Sequence, residues 1–250
     1  MFRLILLLLT LTGAARAETI VLGLSQDSVS ITATFDGDDI LIFGAVRRDA
    51  PAPTEDGDLG VIVTVAGPDQ RVSVYRKARR YGIWINTDEV EVDHAPSFYA
   101  VATSGPLQEV LRDTSDLREE ITIPRAIRSV GATVQDSAAF TQALIRIREA
   151  DNLYQTQING VDLEQDTLFM ASFALPANLT EGDYVARIFL TRDGRPIDEA
   201  STVIPVQKVG LERWLYNLAH SDPLIYGMMS LVLAAAAGWA ASAGFAALRR

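Results

Sequence analysis

The chain has 250 residues, a formal net charge of −10 and no cysteine. Without cysteine it has neither a disulfide framework nor a thiolate metal site, so stability must come from the packing of an apolar core. The acidic balance argues against nucleic acid as a partner.

The N-terminus predicts export. Residues 1–17 read MFRLILLLLTLTGAARA, with one cation at Arg3, a short apolar run, and small residues ending in Ala-Arg-Ala. This order is typical of a secretory signal peptide, and the apolar run is too short to cross a bilayer. We predict a signal peptide over 1–17, cleaved after Ala17; an uncleaved N-terminal anchor is the alternative.

The next part of the chain, residues 18 to 102, predicts strands. Its apolar residues recur with period two between turn residues. Asp36-Gly37-Asp38 and Gly67-Pro68-Asp69 each predict a hairpin between the strands that flank them. The predicted strands are 19–24, 28–35, 39–46, 60–67, 71–77, 81–86, 89–93 and 97–102.

The periodicity becomes helical in the middle of the chain and returns to two after residue 157. A short helix is predicted after Pro106 and an amphipathic helix over 137–152, while 116–130 fits either helix or irregular structure. Strands are predicted over 167–175, 183–191 and 197–206, with Asp193-Gly194 as a hairpin turn.

Two aromatic residues suggest the fold. Tyr184 follows a loop and Gly182 at the start of an alternating strand, as in the tyrosine corner of immunoglobulin-like domains, and Trp84 is a candidate core aromatic. We expect a mainly β fold: an immunoglobulin-like β-sandwich body over 18–208, with a helical insertion at about 104–156. Two successive β domains joined through the helices are the alternative.

The C-terminus predicts a transmembrane helix. Residues 224–248 carry no charge, and a helix of that length reaches about 37 Å, enough to cross a bilayer. Trp214, Tyr216 and Tyr226 suit the membrane interface, and Arg249-Arg250 suits the cytoplasmic side. We predict a juxtamembrane segment over 209–222, a helix over 223–248 and a cytoplasmic tail of 249–250, with the body in the periplasm of a bacterial cell and the helix in its cytoplasmic membrane.

Several strings resemble a family of alphaproteobacterial transmembrane proteins whose function is not established. They are GLSQDSVSITATFDGDDILIFGAV, GIWIN followed by PSFYAV, and LFMASFALPANLTEGDYVARIFLTRDG, together with the single C-terminal span. The resemblance extends over essentially the whole chain. It implies an exported domain on one membrane anchor and a genomic association with sulfite-exporter-type permeases, and it supplies no catalytic residues.

Catalytic and metal-binding motifs are missing from the sequence. It has no G-x-S-x-G, P-loop, G-x-G-x-x-G or H-E-x-x-H string. The two histidines, His94 and His220, lie 126 positions apart, and Asp36, Asp38 and Asp39 fit a turn better than a calcium loop. We predict no metal, no cofactor and no enzymatic activity.

A cluster of cations, Arg76, Lys77, Arg79 and Arg80, stands out in this acidic chain. We expect it between two strands. If Tyr75 to Arg80 forms the turn region, the charges cannot all share one face, although long arginine side chains can converge from a loop. Three hypotheses compete: a solvated loop, a contact with anionic lipid or an acidic partner, and a small-oxyanion site made of Arg forks.

A stripe of small residues recurs every four positions along the C-terminal helix: Ala234, Gly238, Ser242 and Ala246. Small residues at that spacing let two helices approach closely, although an alanine-rich composition also produces the pattern. The leading hypothesis is therefore an anchored accessory protein that contacts membrane lipid and a membrane protein, such as a transporter of the sulfite-exporter type, or a second copy of itself. The alternative is a periplasmic module that binds a small oxyanion.

Overall fold

The computed structural model describes residues 18–31, 37–48, 57–128, 136–208 and 211–248. The predicted signal peptide and the terminal arginines lie outside these residues. The chain divides into two compact units. The first, called the body, contains the described residues of 18–29 and 37–206, and the second contains Ser30, Ile31 and those from Gln207 onward.

Strands dominate the body, which confirms the mainly β prediction. Six of the twelve are longer than the sequence pattern indicates, because pairing extends them into residues that lack period-two alternation, and the short strands at 154–157 and 161–164 were not predicted. The strands are β1 (Glu18–Leu24), β2 (Val29–Ile31), β3 (Asp38–Arg48), β4 (Leu59–Ala66), β5 (Asp69–Arg80), β6 (Ile83–Pro96), β7 (Tyr99–Thr103), β8 (Tyr154–Gln157), β9 (Val161–Glu164), β10 (Leu168–Leu175), β11 (Gly182–Arg192) and β12 (Arg195–Lys208).

The strands form two large sheets and one separate ribbon. The four-stranded sheet has the order β1-β3-β10-β9, the six-stranded sheet has the order β2-β12-β11-β4-β7-β8, and β5 pairs with β6 in a sheet of two strands. Each large sheet combines strands from before and after the helical section. All pairs with a described register are antiparallel except β7 with β8, which run parallel.

Burial follows the strand period where one face meets solvent. Along β10 alternate residues are buried, so Phe169, Phe173 and Leu175 face the core while Leu168 and Met170 face outward. Strand β4 is buried almost throughout, because residues 60–65 are covered on both sides. The alternation along β10 therefore indicates that one face of the strand is covered, and the continuous burial of β4 indicates that both of its faces are covered.

Helices cover part of the six-stranded sheet. The Tyr99 hydroxyl on β7 donates a 2.9 Å hydrogen bond to the Ile121 carbonyl oxygen, and the Tyr154 hydroxyl on β8 donates one of 2.8 Å to the Pro96 carbonyl oxygen. Burial raises the pKa of both hydroxyls, that of Tyr154 to about 12, so both remain donors at neutral pH. The helices of this section are α1 (Leu107–Val110), α2 (Asp113–Glu119), α3 (Ile123–Ala126) and α4 (Ser137–Ala150).

Two local predictions in the C-terminal half are confirmed. Asp193 and Gly194 have φ angles of 49° and 70°, and they connect β11 to β12 as a tight hairpin. The buried Tyr184 donates a hydrogen bond of 2.9 Å to the carbonyl oxygen of Thr180 four residues earlier, as a tyrosine corner requires.

Both predicted hairpins in the N-terminal half are wrong. Strands β2 and β3 belong to different sheets, since β3 pairs with β1 and β10. Strand β4 pairs with β11 and β7, whereas β5 pairs with β6. Turn residues in the sequence indicate that the chain reverses direction, but they do not indicate which strands pair with each other.

A buried ion cluster links the two large sheets. Glu18, at the start of β1, is 5% exposed. Its carboxylate accepts hydrogen bonds of 2.8 Å from Arg48 on β3 and of 2.7 and 2.9 Å from Arg192 on β11. The hydrogen bonds from Arg192 and Arg48 hold the pKa of Glu18 below its ordinary value of 4.5, against the opposing effect of burial.

Stability is therefore expected to fall in acid through Glu18. Because the folded-state pKa is lowered, this contribution is complete above pH 4.5 and is lost as the pH falls through the folded-state value. Glu18→Gln should remove this dependence and cost about 2 kcal/mol at neutral pH. Thermal unfolding of the purified chain and of the variant between about pH 3 and 7 measures both effects, because this window spans the pH range in which carboxylates titrate.

The matched control is Glu199→Gln, which removes a more exposed carboxylate from an ion pair with Arg187. An exposed pair contributes about 0–1 kcal/mol. Equal losses in the two variants would contradict a special role for Glu18.

Candidate functional site: the cationic ribbon

The cation cluster lies within a strand of the ribbon formed by β5 and β6. The turn consists of Tyr81 and Gly82, whose φ angles are 50° and 88°. The prediction that Tyr75 to Arg80 forms the turn is therefore wrong. The strands predicted over 81–86 and 89–93 are one strand, because Thr87 is accommodated as a bulge between the Arg76 and Lys77 pairings.

The two halves of the ribbon differ in burial. In the half near the body, Val74, Val90 and Val92 are buried. In the distal half, called the tip and comprising 75–89, both faces meet solvent: Ile83 is 64% and Trp84 is 68% exposed. The prediction of Trp84 as a core aromatic is wrong, since its strand continues beyond the part of the ribbon that the body covers.

Strand alternation divides the four cations between the two faces of the ribbon. Arg79 is paired in register with Trp84, and Lys77 with Asn86, so Lys77, Arg79 and Trp84 share one face, called the Trp84 face. Arg76 and Arg80 lie on the opposite face. The cations therefore do not surround one point, as a small-oxyanion site would require.

One of the four cations, Arg76, interacts with carboxylates and with an aromatic ring of the same chain. Arg76 donates a 2.9 Å hydrogen bond to Asp136, lies 3.9 Å from Asp88, and places its guanidinium 4.6 Å from the ring centroid of Phe140 on α4. Lys77, Arg79 and Arg80 make no ion pair with any residue that the structure describes. Arg79 donates a hydrogen bond of 3.4 Å to the carbonyl oxygen of Gly82 in the turn.

A second exposed surface lies on the outward face of the four-stranded sheet. Val21, Phe43, Leu168 and Met170, here called the apolar patch, are between 42% and 55% exposed on neighbouring strands. A cleft of about 280 Å³ at this patch is bordered by Asp162 and Glu164 of β9. Neither carboxylate is ion-paired within the described ranges.

A larger cleft, of about 690 Å³, lies on the body among residues 57–60, 104–112 and 193. Its carboxylates Asp58, Glu109 and Asp193 are all exposed, and Asp193 forms an ion pair with Arg112. Among its described lining residues there is no buried acid–base pair of the kind that proton-transfer catalysis uses.

Neither histidine contributes to a cluster of metal ligands in the described part of the chain. His94 is an exposed residue that lies 3.8 Å from Asp69. His220 directs Nδ1 to the carbonyl oxygen of Tyr216 at 2.8 Å.

The second unit contains α5 (Leu211–Ser221) and α6 (Pro223–Leu248). Residues Pro223–Ser242 of α6 are long and apolar enough to cross a membrane, and none is buried. The small-residue stripe lies on α6, and an added Cβ at Gly238 would meet no atom within 4 Å. Exposed apolar side chains such as Leu231 and Trp239 require a non-aqueous environment.

A protein-family model described as "Putative transmembrane protein (Alph_Pro_TM)" matches residues 19–247. The chain belongs to this family. The match confirms the resemblance drawn from the sequence, and together with the apolar helix α6 it supports location in a membrane. No curated protein has significant similarity to the chain.

Exposure of the tip predicts that Trp84 contributes little to folding. Trp84→Ala should change the free energy of unfolding by less than about 0.5 kcal/mol, since surface substitutions have small effects. Phe98→Ala, which removes a fully buried ring, should cost about 3–5 kcal/mol. Thermal unfolding of the two variants compares these losses of stability. A large loss of unfolding free energy in Trp84→Ala would indicate that the indole is packed against other residues, contrary to this prediction.

Proposed function

We propose that the protein is a non-enzymatic accessory protein of the cytoplasmic membrane that acts by contact with another membrane protein. The observation that carries this proposal is the tip, which exposes Trp84 and Ile83 beside three cations that have no ion pair in the described chain. Exposed aromatic and arginine side chains are the groups that most often supply binding energy at protein interfaces.

The finer features of this proposal come from the sequence. Cleavage after Ala17 would export the body to the periplasm, and α6 would leave residues 249–250 in the cytoplasm. The hydrogen bond of Tyr184 supports an immunoglobulin-like body. The family resemblance suggests a transporter of the sulfite-exporter type as the partner.

The oxyanion-binding alternative has less geometric support. Arginine forks bind a small anion when several of them converge on it, whereas Arg79 and Arg80 lie on opposite faces of the ribbon. Calorimetric titration of the chain with sulfite, sulfate and phosphate decides this alternative, and the absence of heat with all three would remove it.

Crosslinking in intact cells tests the contact proposal. The chain is coexpressed with a sulfite-exporter-type permease from the same genome, and permease recovered with the chain is quantified. Trp84→Ala combined with Arg79→Ala should lower recovery at least about tenfold, which corresponds to about 1.4 kcal/mol. Ile158→Ala changes another exposed apolar residue and should leave recovery unchanged; equal recovery from all chains would overturn the proposal.

The helix provides a separate prediction. Gly238→Ile places a branched side chain on the small-residue stripe, where an added Cβ meets no atom within 4 Å beyond its own stretch of helix, so it should weaken helix association. Ala240→Ile makes a similar change about 200° around the helix. A membrane two-hybrid assay compares the variants, and an unchanged signal for Gly238→Ile would count against the stripe.

A further inference from the structure

The tip and the apolar patch are complementary in hydrophobicity and in charge. The tip presents an exposed indole with two cations on its face, and the patch presents exposed apolar side chains bordered by two carboxylates. We propose that the Trp84 face of one copy docks on the apolar patch of a second copy. This inference rests on the proposed function, because it names a partner for the same ribbon.

The spacing of the charges supports this pairing. Lys77 and Arg79 are two residues apart on one face of β5, and Asp162 and Glu164 are two residues apart on the outward face of β9. Residues at that separation in a strand stand about 7 Å apart. Two cations and two carboxylates therefore match in number, spacing and sign.

The apolar part of the patch has room for an inserted ring. The ring of Phe43 already fills the space over Gly23 of the neighbouring strand, where an added Cβ would stand 2.6 Å from it, so the room lies beside this ring. The adjoining cleft is lined by Phe43, Leu168 and Met170 and has a volume of about 280 Å³, which is close to the lower end of ligand pockets, about 300 Å³. The cleft suits a side chain such as the indole of Trp84 better than a folded element.

The charge beside the apolar patch favours a cationic partner such as the tip over anionic partners. Asp162 and Glu164 would repel anionic lipid headgroups and acidic peptides, whereas they attract Lys77 and Arg79. In the part of the chain that the structure describes, the tip combines a large exposed aromatic with cations that have no described ion pair.

Membrane anchoring favours a contact of this small size. Copies held in one membrane meet at a high effective concentration, so a weak contact suffices for assembly. The tip and the patch are different surfaces, so the contact is heterologous. Copies inserted in the same direction are related by rotation about the membrane normal, and such contacts form a closed ring only when that rotation divides a full turn.

Cysteine crosslinking tests the pairing, because the natural chain has no cysteine to interfere. Full-length chains with Asn86→Cys, on the Trp84 face, and with Ser172→Cys, beside Met170, carry different tags and are coexpressed in membranes. A short bis-maleimide should join them. Ala78→Cys, on the opposite face of the ribbon, is the matched control and should give at least about tenfold less adduct with Ser172→Cys, as expected for a side chain that points away.

Charge reversal identifies the contact. Lys77→Glu with Arg79→Glu should lower the adduct at least about tenfold, and Asp162→Lys with Glu164→Lys should do the same, because like charges would then face each other. Combining both reversals on the two partners should restore the adduct. Restoration also shows that the variants fold. Arg79→Glu alone should also lower the adduct, whereas Arg80→Glu, the same single charge reversal on the opposite face, should leave the adduct within about twofold.

The outcomes separate this inference from the proposed function. Equal adducts from the test and control pairs, or no restoration by the combined reversals, would overturn the contact between copies. If reversal at the tip lowers permease recovery while reversal at the patch changes nothing, the contact between copies is wrong and the proposed function stands. If Arg80→Glu lowers the adduct as much as Arg79→Glu, the tip responds to charge on either face, as a lipid surface would require, and the inference is overturned.

Discussion

The body depends on one carboxylate held between two guanidinium groups. Glu18 begins the first strand and receives hydrogen bonds from Arg48 of the same sheet and Arg192 of the other. A buried charge of this kind is tolerated only while its partners are present. The predicted cleavage after Ala17 would make Glu18 the first residue of the exported chain, so the new N-terminus would begin inside the core.

Two sets of side chains on the body do not pack into its core and are exposed to solvent. Within the described residues, the tip carries Trp84 beside cations that have no ion pair, and the apolar patch carries Phe43 and Met170 beside carboxylates that have none. Both are surface features, and the larger cleft offers exposed carboxylates in place of a buried acid–base pair. The tip and the apolar patch are therefore the two surfaces on which a membrane-protein partner and a contact between copies are proposed.

Local signals in the sequence were reliable where neighbouring residues decide the outcome. Helical spacing over 137–152 predicted α4, which spans Ser137–Ala150, and Asp193-Gly194 predicted its hairpin. The cation cluster was also visible in the sequence. Its place within a strand was not, because the position of the turn at Tyr81-Gly82 depends on the pairing of β5 with β6.

The sequence by itself determined the period of each segment, the apolar helix α6 and membership of a transmembrane family. These properties follow from the order of residues along a few turns or strands. The tertiary structure decided that β4 pairs with β11 instead of β5, that Trp84 lies in solvent, and that Glu18 meets Arg192. Such outcomes depend on which distant strands lie side by side, and strands of similar hydrophobicity do not encode their neighbours locally.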